Sequence, residues 1–170
     1  DGNGGVLAYN NFAPDGDMVI DTGDSFYTNT GSNSLRLRNV AAHEHGHGLG
    51  FFHVCPLEGE KLMEPAINLN FDGPQHDDIR AAHTLYGDAS EPNNSSGEAT
   101  DLGALSGANT FGGVPGGGVL SGSTLSIEDN GARDWFSFTV SGPSEVNVTV
   151  VPQGFVYEDN PQACGGQQFS

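Results

Sequence analysis

Residues 43–53 read His-Glu-His-Gly-His-Gly-Leu-Gly-Phe-Phe-His. On a helix His43 and His47 stand four apart and share a face, so both rings can reach one ion. Glu44 lies about a quarter-turn round from His43, beside the metal without having to ligate it. Gly50 lets the chain leave the helix with a φ that a side chain resists. His53 can then return as a third nitrogen ligand. Three imidazoles suit zinc and leave its fourth tetrahedral position open. Zinc there would polarise a carbonyl and bring the pKa of water towards ~7, with Glu44 as the base that takes the proton. The chemistry expected of this set is hydrolysis of a peptide bond.

These residues need a scaffold. Residues 34–49 are expected to form a helix, capped by Asn33 or Ser34, with Leu35, Leu37, Val40, Ala41 and Leu49 as its apolar surface. Gly46, Gly48 and Gly50 are poor helix residues, and their clustering implies close packing and then a stop. Residues 6–12 and 18–20 read as strands. A second helix is expected from Gln75 to Tyr86, with Pro74 before it, Asp77 and Asp78 in its first turn and Gly87 after it. Beyond residue 88 the chain turns polar to about residue 100, then rich in Gly, Ser, Thr and Val. Phe136, Phe138 and Val140 alternate, as do Val146, Val148 and Val150 after Gly142-Pro143.

A bare His-Glu-x-x-His is common, whereas the extended form with Gly50 and His53 is a metzincin signature, completed by a Met-turn. Leu62-Met63-Glu64-Pro65 supplies that turn. Among the metzincins the chain resembles the matrixins over residues 1–87. Asp1-Gly2-Asn3-Gly4-Gly5-Val6-Leu7-Ala8 is similar to their calcium loop and substrate-side edge strand, and Asp77-Asp78-Ile79 through Leu85-Tyr86-Gly87 to their last helix. The resemblance implies an α+β fold, the C-terminal part of a zincin catalytic domain whose N-terminal part is missing. It implies calcium held by Asp1, Asp21 and Asp24 with the carbonyls of Gly2, Gly4 and Val6, oxygen ligands of the kind that ion takes. It implies a substrate strand lying along Leu7 and Ala8. Three departures stand out. The family's histidines for a second, structural zinc are replaced by Tyr9 and Val19, so one zinc is expected. The stretch from His53 to Met63 is longer than usual. Ile67 stands where the family has a specificity-wall tyrosine, so substrate preference does not carry over.

The expected organisation is a protease-like domain over 1–87, a linker over 88–100 and a partial β-sandwich over 101–170. The last resembles the bacterial pre-peptidase C-terminal domain through Glu91-Pro92-Asn93-Asn94, Ala99-Thr100-Asp101-Leu102-Gly103 and Asp134-Trp135-Phe136-Ser137-Phe138-Thr139-Val140. That implies a non-catalytic module and secretion from a bacterium. The chain itself is expected to be an internal piece of a longer protein.

Composition excludes some functions. Five basic against 22 acidic residues give a net charge of -17. Such a chain has no basic patch for nucleic acid and no attraction to anionic membranes. No apolar run is long enough to cross a bilayer. A monomer acting on protein or peptide substrates is expected. The competing class is an extracellular adhesion or carbohydrate-binding protein that keeps a structural zinc site. Such a site has no need of Glu44 and closes its fourth position with a protein ligand, for which Cys55 is the nearby candidate. Otherwise Cys55 reads as bonded to a cysteine outside this sequence or as a packed thiol, and with Cys164 it forms no framework. His45 points away from the metal, His76 and His83 read as helix surface, and Asn93 and Asn147 head Asn-x-Ser/Thr triplets.

Overall fold

The computed structural model describes residues 2–55, 59–107, 125–127 and 131–150, together with the backbone of 157–159 and 167–169. Asp1 and Cys164 lie outside the described residues. The chain divides into two compact units, residues 1–79 with 154–170, and residues 80–153.

The first unit carries the reactive residues. Strand β1 (Ala8–Asn10) pairs antiparallel with β2 (Met18–Ile20), Tyr9 opposite Val19. β1 is shorter than the run expected over 6–12, because the Asn11 N–H bonds the Asp17 carbonyl at 3.1 Å and closes the connecting loop. β2 is its only strand partner among the described residues. A 3-10 turn over Ser25–Thr28 follows, capped by the Asp24 carboxylate on the Phe26 N–H.

Helix α1 spans Gly31–Gly48 and packs against β1 and β2. Its beginning differs from the expected cap at Asn33 or Ser34. Ser32, Asn33 and Ser34 have φ of 51, 54 and 58°, in the left-handed region. Regular helix therefore starts only after Ser34. Arg38 holds this irregular start by donating to the carbonyls of Ser32 and Asn33 while its guanidinium pairs with Asp72. At the other end Gly50 has φ 96°, and the Phe51 N–H returns to the Gly46 carbonyl at 2.9 Å. This is the stop expected of a glycine at that position.

The core of this unit is small and mixed. Val40, Phe51, Cys55, Leu62 and Met63 are buried together with Asn39, Glu64 and Asp78. Cys55 is disulfide-bonded, which corrects the expectation that the cysteines form no framework. Helix α2 runs over His76–Tyr86, close to the expected limits, and Gly87 follows with φ 76°. Strands β5 (Tyr157–Asp159) and β6 (Gln167–Phe169) form an antiparallel pair.

In the second unit β3 (Thr100–Ala104) pairs parallel with β4 (Phe136–Thr139). The alternation at Val146, Val148 and Val150 forms no strand, and those side chains are 51, 75 and 79% exposed. Alternation is a pattern that a partner strand must complete, and none of the described residues does so. Among the described residues this two-stranded pair is what is seen of the partial β-sandwich expected over 101–170.

Candidate active site

Helix α1 places His43 and His47 one turn apart on its buried face, and the chain reversal at Gly50 brings His53 to meet them. Their Nε2 atoms lie 3.2 Å (His43 to His53) and 3.1 Å (His47 to His53) apart. Among the described residues these three form the only convergent group of metal-ligating side chains.

The donor set fits zinc. The Nδ1 of His43 donates to the Leu62 carbonyl at 2.7 Å, and that of His47 to the Phe51 carbonyl at 2.8 Å. Each bond fixes the tautomer and leaves the Nε2 lone pair pointing inward. Nitrogens about 2.0–2.1 Å from a tetrahedral ion stand roughly 3.3 Å from one another, close to the spacing seen. Burial, and then the neighbouring imidazoles, push the His53 pKa down from 6.5 to about 4. Burial also lowers that of His43. The His43 and His53 rings are thereby biased to the neutral form, the one that binds metal.

Glu44 is 7% exposed. Burial raises its pKa, against the lowering influence of His47 and of the Asn10 backbone N–H. That N–H belongs to β1 and ties the open edge of the sheet to the carboxylate. A buried carboxylate with a raised pKa is a stronger base than one in water. His45 is exposed, as expected of a residue facing away from the triad.

Against helix α1 at Gly46 lies Met63, 2% exposed. A Cβ built on Gly46 would collide with the Met63 sulfur, lie 3.0 Å from its Cε and 3.3 Å from the Phe51 ring. Gly48 faces the Asn10 side chain at 2.8 Å by the same measure. The glycines that weaken the helix are therefore what lets the turn and β1 approach it.

Asp78 has a role that sequence reasoning missed. Its carboxylate accepts from the backbone N–H groups of Leu62 (3.2 Å), Met63 (3.1 Å) and Gln75 (2.6 Å), and it is 4% exposed. It thus anchors the turn whose Leu62 carbonyl holds His43. An acid in a helix's first turn was visible in the sequence, but nothing there showed which distant N–H groups it meets. The long stretch between His53 and Met63 is held similarly. The buried Glu64 carboxylate gathers the N–H groups of Gly59, Glu60 and Lys61, with the Lys61 ammonium 3.8 Å away.

Most of the calcium-loop residues also come together. The Gly2 N–H donates to Asp21 and the Gly4 N–H to Asp24, each at 2.8 Å. The Gly2 bond is the main reason that the Asp21 pKa is lowered. Val6 is exposed. Leu7 and Ala8 lie on the edge strand, where the Leu7 carbonyl accepts from the Asp21 N–H (2.9 Å) and the Tyr27 hydroxyl (2.8 Å). Tyr9 and Val19, at the positions of the family's second-zinc histidines, face each other across the sheet and are both exposed.

A family model described as matrixin matches residues 1–87. Matrix metalloproteinase-18 of Xenopus laevis is 40% identical over 108 residues, covering 59% of this chain and 22% of the relative. The hatching enzyme of Paracentrotus lividus is 37% identical over 92 residues, covering 51% of this chain and 15% of the relative. The chain therefore spans less than a quarter of either relative's length. Both relatives are animal proteins and lend no support to a bacterial source. No solved structure matches the chain significantly.

Proposed function

Since the chain belongs to the matrixin family, we propose that it carries the active site of a secreted zinc endopeptidase in which Glu44 is the general base. The observation that carries this reading is the buried Glu44 standing beside, and outside, three convergent imidazoles, two of them tautomer-locked. One zinc per chain is proposed, held by the Nε2 atoms of His43, His47 and His53. When bound it supplies Lewis acidity toward water and the scissile carbonyl. The Glu44 carboxylate takes a proton from the attacking water and returns it to the leaving amine nitrogen. The Asn10 N–H orients that carboxylate. The free edge of β1 receives the substrate as an added antiparallel strand, with the Ala8 backbone as partner beside Leu7.

Cys55 bears on the competing reading of a closed, structural zinc site. Its sulfur is committed to a disulfide, so no thiolate is offered there as a fourth ligand. Calcium bound by Asp1, Asp21 and Asp24 with Gly2, Gly4 and Val6 is part of the proposal, supported by the clustering of both described aspartates with the glycine loop. Its test is a higher thermal midpoint in millimolar calcium, and an unchanged midpoint counts against the site. For residues 101–170 a non-catalytic β-module is proposed, on the strength of the β3–β4 pair.

The decisive experiment is Glu44→Gln in the full-length protein. Peptidase activity is expected to fall by about 10²–10⁴-fold, the usual contribution of a general base, with zinc content unchanged. Activity within tenfold of wild type removes Glu44 from the role.

A further inference from the structure

The three convergent histidines are not held alike. The two on helix α1 each have a backbone carbonyl for Nδ1, Leu62 for His43 and Phe51 for His47. None of the described residues bonds Nδ1 of His53, whose ring contacts run through Nε2 to the other two imidazoles. Those contacts lie on the side that faces the ion, so they give the ring no anchor of its own. His53 also stands off the helix, after the reversal at Gly50. Its chain is fixed before it at Phe51 and after it at Val54, whose N–H bonds the Met63 carbonyl at 2.9 Å. One residue further, Cys55 is 1% exposed and disulfide-bonded. The sequence holds one other cysteine, Cys164, which lies outside the described residues.

We propose that a disulfide joining Cys55 to Cys164 positions His53 as the third zinc ligand. This rests on the zinc-site reading above. A ligand imidazole ordinarily takes its orientation from a partner on its second nitrogen. His43 and His47 have that partner, and His53 has a covalent anchor two residues along the chain instead. Two residues of backbone reach at most about 7 Å. A sulfur fixed in the core therefore leaves the His53 backbone little room to wander. The hydrogen bond at Val54 opens and recloses freely, whereas a disulfide opens only by reaction with a reductant or a thiolate. Chain that is already fixed loses little freedom when the ion arrives, and chain that is loose must first be ordered. Cys55 is thus a positioning residue, acting on the ion through His53.

The test uses the full-length protein and reads zinc affinity, by titration against a competing chelator well below the unfolding temperature. Cys55→Ala should raise the zinc Kd by roughly 10–100-fold, the range found when a group that orients a metal ligand is lost. Wild type reduced with a trialkyl phosphine, which is then removed, should show a rise of the same order. In that step the phosphine takes the oxygen of a water molecule and each sulfur takes one of its protons, so two thiols form for every bond broken. The same treatment should leave the zinc affinity of Cys55→Ala unchanged. Non-reducing peptide mapping should recover Cys55 joined to Cys164. Cys55 recovered as a free thiol, or on another cysteine, overturns the proposal. So does a Kd within about twofold of wild type in both the variant and the reduced protein, whatever the thermal midpoint, because a merely structural disulfide moves the midpoint alone. A wild type that binds no zinc overturns the zinc reading and the positioning role with it. Zinc affinity that depends on the disulfide in a protein that cleaves no peptide supports the positioning role and overturns the peptidase reading.

Discussion

Asn39 and Asn93 are the same residue at the same burial, each 0% exposed, in different units of the chain. Asn39 is fully used. Its amide donates to the carbonyls of Asn68 and Phe71 at 2.9 Å each, and its oxygen accepts from the Gly73 N–H at 2.9 Å. Among the described residues the side chain of Asn93 has no hydrogen-bond partner at either atom. The backbone of Asn93 is engaged, by Glu91 and by Trp135, so the described residues hold it through its main chain and its packing. A buried polar group adds specificity only when it is satisfied, and otherwise carries its full desolvation penalty. The unit with the histidines spends its polar residues on anchoring loops. The other unit, among its described residues, buries one without return and leaves three alternating valines in water.

Substitution at the two asparagines breaks or sharpens this contrast most. Asn39→Ala strands three part-buried backbone groups and should destabilise its unit by about 2 kcal/mol, read by urea denaturation. Asn93→Ala should change stability by less than about 1 kcal/mol, since no bond is lost. Similar losses at both positions would mean that Asn93 has a role the contrast denies it.

Asp78→Ala comes next. It removes the acceptor for three N–H groups, but the carboxyl is itself held above its usual pKa, chiefly by burial, so part of the loss is refunded. A destabilisation of about 2 kcal/mol is expected. Zinc affinity should fall by roughly 10–100-fold, as for other residues that orient a ligand through its second nitrogen. Isothermal titration separates the two effects, and unchanged affinity would show that the Leu62 carbonyl stays in place without Asp78. The smallest effect belongs to Val148→Ser, expected within about 0.5 kcal/mol because the residue is 75% exposed. A loss above about 1 kcal/mol would reveal a covering surface and weaken the contrast.

The convergence of the three histidines was legible because helical spacing and a turn glycine are local rules. His43, His47 and His53 meet wherever those rules are obeyed, and Gly46 announced a close neighbour by its poor propensity. That the neighbour is the Met63 sulfur depends on the path of the intervening loop. The same holds for Asp78 and Asn39, whose value lies in N–H groups and carbonyls many residues away. The left-handed start of α1 escaped because Ser and Asn near a helix end usually cap it, and here Arg38 stabilises another arrangement. The valines at 146–150 misled for the reverse reason. Their pattern is local, but a strand is formed only with a partner.

The peptide group between Leu62 and Met63 is bonded at both ends. Its N–H points at the Asp78 carboxylate and its carbonyl receives the Nδ1 proton of His43. A carboxylate at one end pulls the amide's hydrogen and pushes electron density onto its oxygen, which then draws more strongly on the imidazole proton. His43 is thereby made more electron-rich, with a distant anion acting on its ring through a single backbone amide. In the proposed zinc site the three imidazoles, alike in formula, are thus unequal, one of them tuned by an aspartate that is not among the proposed ligands.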